Sequence, residues 1–215
     1  MGDLVSQLIF VASGLFITVE LLIGGCLIGC AGGVSLAFLR YNGIAVWPID
    51  ALISVLRGTP LILQLALLYF AIPGLLGIKL GIVAAGVLAF GLNSSAYTAE
   101  IVRAGIEQVP QGQFEAALTL EIPSFYLWKD IILPQVLRNV LPALVNEVIV
   151  LLKETALIAT IGGMDIMRRA QVLAAQQASY FQPLCIAGAC YYILVLLITY
   201  LGKKSEKWGD HGKHT

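Results

Sequence analysis

Five long apolar runs constrain this chain before any motif is considered. Run 4–39 holds one charged residue, Glu20; run 51–76 holds Arg57 alone, and run 81–102 only Glu100. Run 136–161 has Arg138 near its start and is interrupted at Glu147 and at Lys153-Glu154, and run 183–202 carries no charge. Each provides the roughly 20 residues a helix needs to cross a ~30 Å hydrocarbon core. Inside that core every backbone N–H and C=O must bond within the protein, which makes helices the expected form. Composition agrees, with 12% charged residues against about 25% in an ordinary soluble domain. The expected fold is an all-α membrane protein of about five transmembrane helices, at about 8–39, 51–76, 81–103, 136–161 and 183–202. These form one domain over 1–205, with a loop at 108–135 and a polar tail at 206–215.

The first run would extend about 50 Å as one helix at ~1.5 Å per residue, so it must tilt or project from the bilayer. It lacks the basic n-region of a signal peptide and far exceeds an h-region. Met1-Gly-Asp-Leu-Val-Ser6 fits the loose acylation pattern, which a chain already held by five helices does not need. Five spans leave the termini on opposite sides, and basic residues choose the sides. With the N-terminus outside, the inner segments hold Arg40, Arg103, Lys129, Arg138, Lys203, Lys204, Lys207 and Lys213, and the outer ones Lys79, Arg168 and Arg169. The balance predicts an outer N-terminus, an inner C-terminus and an inner 108–135 loop.

Gly25, Gly29 and Gly33 recur every four residues on one face of the first helix, the pattern of a close helix–helix seam in lipid. Arg57-Gly-Thr-Pro60 must bend or interrupt the second span, and the backbone groups it frees must line a cavity or be buried in protein. Thr59 and Gln64 lie at that break. Cys26, Cys30, Cys185 and Cys190 all fall in apolar spans without histidine, which suits packing and no metal. His211 and His214 belong to the polar tail. Net charge is zero, and nothing points to nucleic acid. No phosphate-cradling Gly-x-x-x-x-Gly-Lys-Ser/Thr occurs, and no nucleophile–base set suggests catalysis.

Asn93, Tyr97 and Glu100 share one face of the third span, and Glu147 and Glu154 share one face of the fourth. A mid-bilayer charge costs about 2.5–3.5 kcal/mol on insertion scales, so such residues face protein or water and mark candidate sites. Glu100 either pairs with Arg103 one turn away or contacts a substrate. Glu154 either pairs with a neighbour, as part of Lys153-Glu154, or faces a pathway, where it would hold an ammonium group with Thr155 and Asn93 adding hydrogen bonds. Glu147 belongs to the interior near the inner leaflet and is left out of the site. In the 108–135 loop, Phe114, Ala117, Leu118 and Leu120 form an apolar stripe on a short helix, while Glu115 and Thr119 face elsewhere. Such a ridge suits a groove on a soluble partner; the other possibility is a helix lying on the membrane surface.

Glu115-Ala-Ala117, followed by Ile132-Leu-Pro134, resembles the EAA loop of permease subunits in bacterial ABC importers. Arg57-Gly-Thr-Pro-Leu61, Leu92-Asn-Ser-Ser-Ala-Tyr-Thr-Ala-Glu-Ile101, the Val109–Ala117 segment and Leu151-Leu-Lys-Glu-Thr-Ala-Leu157 resemble motifs of the polar-amino-acid branch, in the same order. The resemblance covers nearly the whole chain. It implies a type I ABC importer permease fold in the bacterial cytoplasmic (inner) membrane, with a cytoplasmic coupling helix that includes Phe114, Glu115, Ala116, Ala117, Leu118 and Glu121. It implies cytoplasmic ATPase subunits that use ATP and Mg, a second permease (a copy or a homologue) and an extracytoplasmic solute-binding protein, with no cofactor bound by this chain. Substrate would pass among Thr59, Gln64, Asn93, Tyr97, Glu100, Glu154 and Thr155, by alternating access. An ion-coupled secondary transporter or channel, and a structural subunit without a pathway, are the rival classes. The absence of an internal inverted repeat counts against the former.

One position departs from the family pattern. Glu121 stands where the motif has glycine, with Pro123 close behind. Glycine would supply a left-handed cap at little cost; a glutamate must either accept about 1 kcal/mol of strain or end the helix differently.

Overall fold

The computed structural model describes residues 4–210, and of 206–210 the backbone alone; the acylation pattern at Gly2 and both tail histidines lie outside the described residues. The first apolar run forms two helices, α1 (Leu4–Ala12) and α2 (Leu15–Tyr41), parted at Ser13-Gly14. Gly14 meets the backbone before Ile166 so closely that a Cβ there would lie 2.4 Å from the Asp165 carbonyl carbon. The run is therefore not one straight rod.

The second run is an elbow. α3 (Val46–Gly58) and α4 (Leu61–Ala66) are separated by Thr59-Pro60, and the axes on either side of that break differ by 103°. Pro60 forces this, since it lacks an N–H and pushes the residue before it out of helical space; Thr59 is extended, at φ −114° and ψ 146°. The freed groups are satisfied by one side chain, as backbone at membrane depth requires. Gln64 Nε2 donates to the Leu56 carbonyl (2.8 Å), Thr59 Oγ1 (2.9 Å) and the Thr59 carbonyl (3.3 Å). A π turn at Leu67–Ala71 leads into α5 (Ile72–Leu76).

α6 (Ile82–Glu107) is the axis of the molecule. In its most apolar stretch 61% of residues are buried, against 28% for Leu4–Tyr41 and 11% for Phe181–Ser205, so α6 lies inside the bundle and the other two on its outside. Lipid gives no hydrophobic drive for helix association, which leaves close packing to hold the bundle. The glycine seam supplies it. A Cβ on Gly29 would sit 2.7 Å from Ser94 Oγ, and one on Gly33 2.4 Å from Thr98 Cβ. Further along, Leu21, Leu61, Leu65, Ala89, Phe90, Leu151 and Ile158 close one apolar cluster around α6.

After α6 come α7 (Gln111–Thr119), α8 (Ser124–Tyr126) and a π turn at Leu127–Ile132 that runs into α9 (Leu133–Glu154). A 3-10 segment, Thr155–Ile161, ends at Gly162 in a left-handed conformation (φ 91°). α10 (Ile166–Gln177) and α11 (Phe181–Asp210) complete the chain. Asp165 caps α10, accepting from the Arg168 N–H (2.8 Å) and from the Tyr191 hydroxyl (2.9 Å). Among the described residues, three helical stretches and the elbow are long and apolar enough to cross a membrane. The fourth run differs from the sequence expectation. α9 includes Arg138, Glu147, Lys153 and Glu154 and stops at residue 154, and it packs against α6 and α11.

Candidate functional site

The short helix expected in the 108–135 loop forms as α7, and its cap lies at the departing residue. Ile122 N–H bonds back to the Ala117 carbonyl (2.9 Å) and Glu121 N–H to the Leu118 carbonyl (3.1 Å), the paired bonds of a Schellman cap. Glu121 itself takes the left-handed conformation, φ 54°. Of the two outcomes open to a glutamate there, the chain adopts the strained one, and Pro123 then blocks further helix.

The apolar stripe does not hold as one face. Ala117 is 2% exposed and packs inside its own chain, whereas Leu118 and Leu120 are 76% and 71% exposed. Phe114 also turns inward, edge-on to Trp128 at 6.5 Å, and Trp128 stacks edge-on with Tyr41 at 4.8 Å. Beneath them Val109, Ile132, Val136 and Val140 form a small core. Phe114 packs against this core. Glu115, Ala116, Leu118 and Glu121 remain on the open face.

At the same end of the bundle, Glu100 is the centre of an ion network. Arg40 Nη1 donates to its Oε1 and Arg103 Nη2 to its Oε2, both at 2.9 Å, and Arg57 Nη1 lies 3.4 Å from Oε2. Arg40 also pairs with Asp50 (2.9 Å) and Arg103 with Glu107 (2.6 Å). The pairing with Arg103 foreseen from the sequence is present, together with two arginines that no helical spacing could indicate. Tyr97 lies under the Arg57 guanidinium, 5.3 Å from ring centre to Cζ. Arg57, Tyr97 and Glu100 border an open cavity of about 320 Å³ together with Gln108, Asn139 and Ala143.

The other candidate residues are spread out. Thr59 and Gln64 bond to each other and to the elbow backbone. Asn93 is 5% exposed, and its Oδ1 finds no partner among the described residues; Gln64 Oε1 is in the same state. Thr155 is fully buried and donates to the Leu152 carbonyl at 2.7 Å. Glu154 is half-buried and Lys153 exposed, and the two do not close into an ion pair. Glu147, set aside at the sequence level, accepts from Ser94 Oγ at 2.8 Å and so ties α9 to α6. Ser94 lies inside a motif, but nothing in the spacing pointed to that bond. Among the described residues no cluster of His, Cys, Asp and Glu could hold a metal ion.

Comparison with known proteins gives a consistent result. Residues 29–204 match the family described as binding-protein-dependent transport system inner membrane component. The chain is 45% identical over 203 residues to a putative glutamine transport system permease protein of Rickettsia typhi, covering 94% of this chain and 93% of that one. It is 43% identical over 205 residues to the arginine transport system permease protein of Bacillus subtilis, covering 94% of each. Its fold superimposes with a TM-score of 0.86 on a chain from the crystal structure of an amino acid ABC transporter with histidines, at 36% identity and over 96% of this chain and 99% of that one.

Proposed function

This chain belongs to the binding-protein-dependent transport system inner membrane components, and on that premise we propose that it carries a polar or cationic amino acid inward by alternating access. It is the permease subunit of an amino-acid ABC importer and performs no catalysis; the ATPase is a separate protein. The glutamine and arginine named for its relatives and the carboxylate of Glu154 support that substrate class. ATP and Mg are bound by the ATPase partner. A second permease, either a copy of this chain or a homologue, closes the pathway, and an extracytoplasmic binding protein delivers the substrate.

The observation that supports coupling most directly is the division of α7. Ala117 is locked into the permease while Leu118 stands 76% exposed beside Glu115 and Ala116. An exposed leucine on a short helix held firmly from behind suits a helix-in-groove contact. The docking face is therefore Glu115, Ala116, Leu118 and Glu121, with Phe114 and Ala117 as its support. This end holds Arg40, Arg57, Arg103, Lys129 and Arg138, and the α10 end Arg168 and Arg169, which supports a cytoplasmic docking end, an outer N-terminus and an inner C-terminus.

In the substrate path, Glu100 and Thr59 act as scaffold, since their polar groups are engaged by protein. Asn93, with a buried unpartnered oxygen, and Glu154, without a cation, retain free bonding capacity for an ammonium group. Tyr97, Gln64 and Thr155 shape the surrounding wall.

The test is co-purification of the chain with its ATPase after Leu118→Asp. Loss of the ATPase from an otherwise monodisperse permease supports docking through this face; full retention refutes it. Ala117→Asp would be a poor probe, because it buries a charge in the permease itself.

A further inference from the structure

Gln113 and Gln135 are joined by two reciprocal amide hydrogen bonds. Gln113 Nε2 donates to Gln135 Oε1 (3.1 Å), and Gln135 Nε2 donates to Gln113 Oε1 (2.6 Å) and also to the Ile131 carbonyl (2.7 Å). We propose that this pair is a clasp that makes the docking helix and α9 move as one body, with Gln113 and Gln135 as positioning residues for energy coupling. The proposal rests on the function above and names the contact through which displacement of α7 reaches the membrane-embedded part of the chain.

The need for a clasp comes from the covalent route between the two helices. After α7 the backbone turns through left-handed Glu121, passes Pro123, forms the single turn of α8 and opens into the π turn Leu127–Ile132 before α9 begins. Each irregularity is a place where a push on α7 can be absorbed by backbone torsions. The apolar support from Phe114, Trp128 and the buried Ala117 resists separation, but such contacts are non-directional and permit sliding. A doubly bonded amide pair is directional and fixes register. Gln135 is also bonded to the π turn through Ile131, so the clasp bridges the most irregular part of the route.

α9 is a sensible recipient of the motion. Gln135 lies in its first turn and Glu154 at its last residue, roughly 28 Å along the axis at ~1.5 Å per residue. Glu147 lies between them, bonded to Ser94 of α6. A rotation delivered at Gln135 would therefore act on the α9–α6 contact and on Glu154 together.

The experiment uses the whole importer, purified with its ATPase, reconstituted in phospholipid vesicles and supplied with its binding protein. ATPase association, ATP hydrolysis, and labelled glutamine or arginine transported per ATP are measured for Gln113→Leu, Gln135→Leu and the double variant Gln113→Lys/Gln135→Glu, which replaces the amide pair by an ion pair. Both single variants should keep the ATPase bound and hydrolysing, while transport per ATP falls at least about fivefold, as expected when both hydrogen bonds of the pair are lost. The double variant should restore the ratio, which a merely destabilising change would not. An unchanged ratio in either single variant, loss of ATPase association in step with transport, or a well-folded double variant with the ratio still low each overturns the clasp. Wild-type permease that recruits no ATPase at all would overturn the functional reading itself, a separate result obtained before any variant is made.

Discussion

Arg40 and Glu100, sixty residues apart in the chain, meet at 2.9 Å and tie the end of α2 to α6. Arg103 binds the same carboxylate in the same way, with Arg57 just beyond. A carboxylate so occupied has little left to offer a substrate. Asp50 and Glu107 each take one of these arginines, and Glu100 touches all three.

Replacing that charge should therefore show in stability before substrate affinity. Glu100→Gln leaves three guanidiniums around a neutral amide, two of them still paired with Asp50 and Glu107, and should cost about 2 kcal/mol, between the ~0.2–1 kcal/mol of an exposed pair and the ~3–5 kcal/mol of breaking a buried one. The thermal midpoint in detergent should fall, while the folded fraction should transport with an unchanged KM. A raised KM at an unchanged midpoint would return Glu100 to the substrate path.

At Glu121 the prediction runs the other way. Glu121→Gly removes the left-handed strain of a side chain, about 1 kcal/mol, and should slow amide exchange over residues 117–122. If docking requires the capped helix, affinity for the ATPase should rise by up to about fivefold. Faster exchange at the Ile122 amide, which bonds to Ala117, would show that the strain is relieved in some other way.

The glycine seam allows a paired comparison. Gly33→Ala would place a methyl group 2.4 Å from Thr98 Cβ, whereas Gly188→Ala meets nothing within 4 Å. The first should destabilise by about 1–3 kcal/mol through overpacking, and the second should be neutral or slightly stabilising, since alanine is the better helix former. Equal midpoints for the two variants would mean that α2 and α6 do not pack through this face.

Asp165 provides a pH dependence. Burial raises its carboxyl above the ordinary value, against the opposing pull of the Arg168 amide and Tyr191 hydroxyl bonds. A raised folded-state value means that the folded protein holds the proton more tightly than the unfolded chain does. This contribution to stability is present below the ordinary carboxylate value, and is lost as pH rises through the raised one. Asp165→Asn keeps a cap acceptor and should flatten the stability profile across that window. Asp165→Ala should cost about 1 kcal/mol through the lost cap at every pH.

Much of this could be read from the residues. Pro60 announced the elbow because its chemistry is local, and Gly25, Gly29 and Gly33 announced the seam because a helix repeats its faces regularly. Glu115-Ala-Ala117 announced the short helix α7 by motif. What escaped was set by long-range contact. Nothing near Glu100 indicates that Arg40 and Arg57 would reach it from two other helices. Ala117 and Leu118 are neighbours of similar character, and only the tertiary packing of α7 decides which of them is buried. The fourth run, read from its apolar residues as one helix over 136–161, is α9 to residue 154 and a 3-10 segment beyond it, because its packing on α6 and α11 is a long-range matter.

The bonds Gln64 makes across Thr59-Pro60 have a mechanical consequence. A proline break left to itself would be a soft joint, and force applied to α3 would be spent in bending it. With a side chain strapped to the carbonyls of Leu56 and Thr59, the elbow behaves as a crank. A tilt of α3, which Arg57 couples to Glu100, becomes a sweep of α4 nearly at right angles to it. In this way a small movement near Glu100 can be redirected across the middle of the bundle.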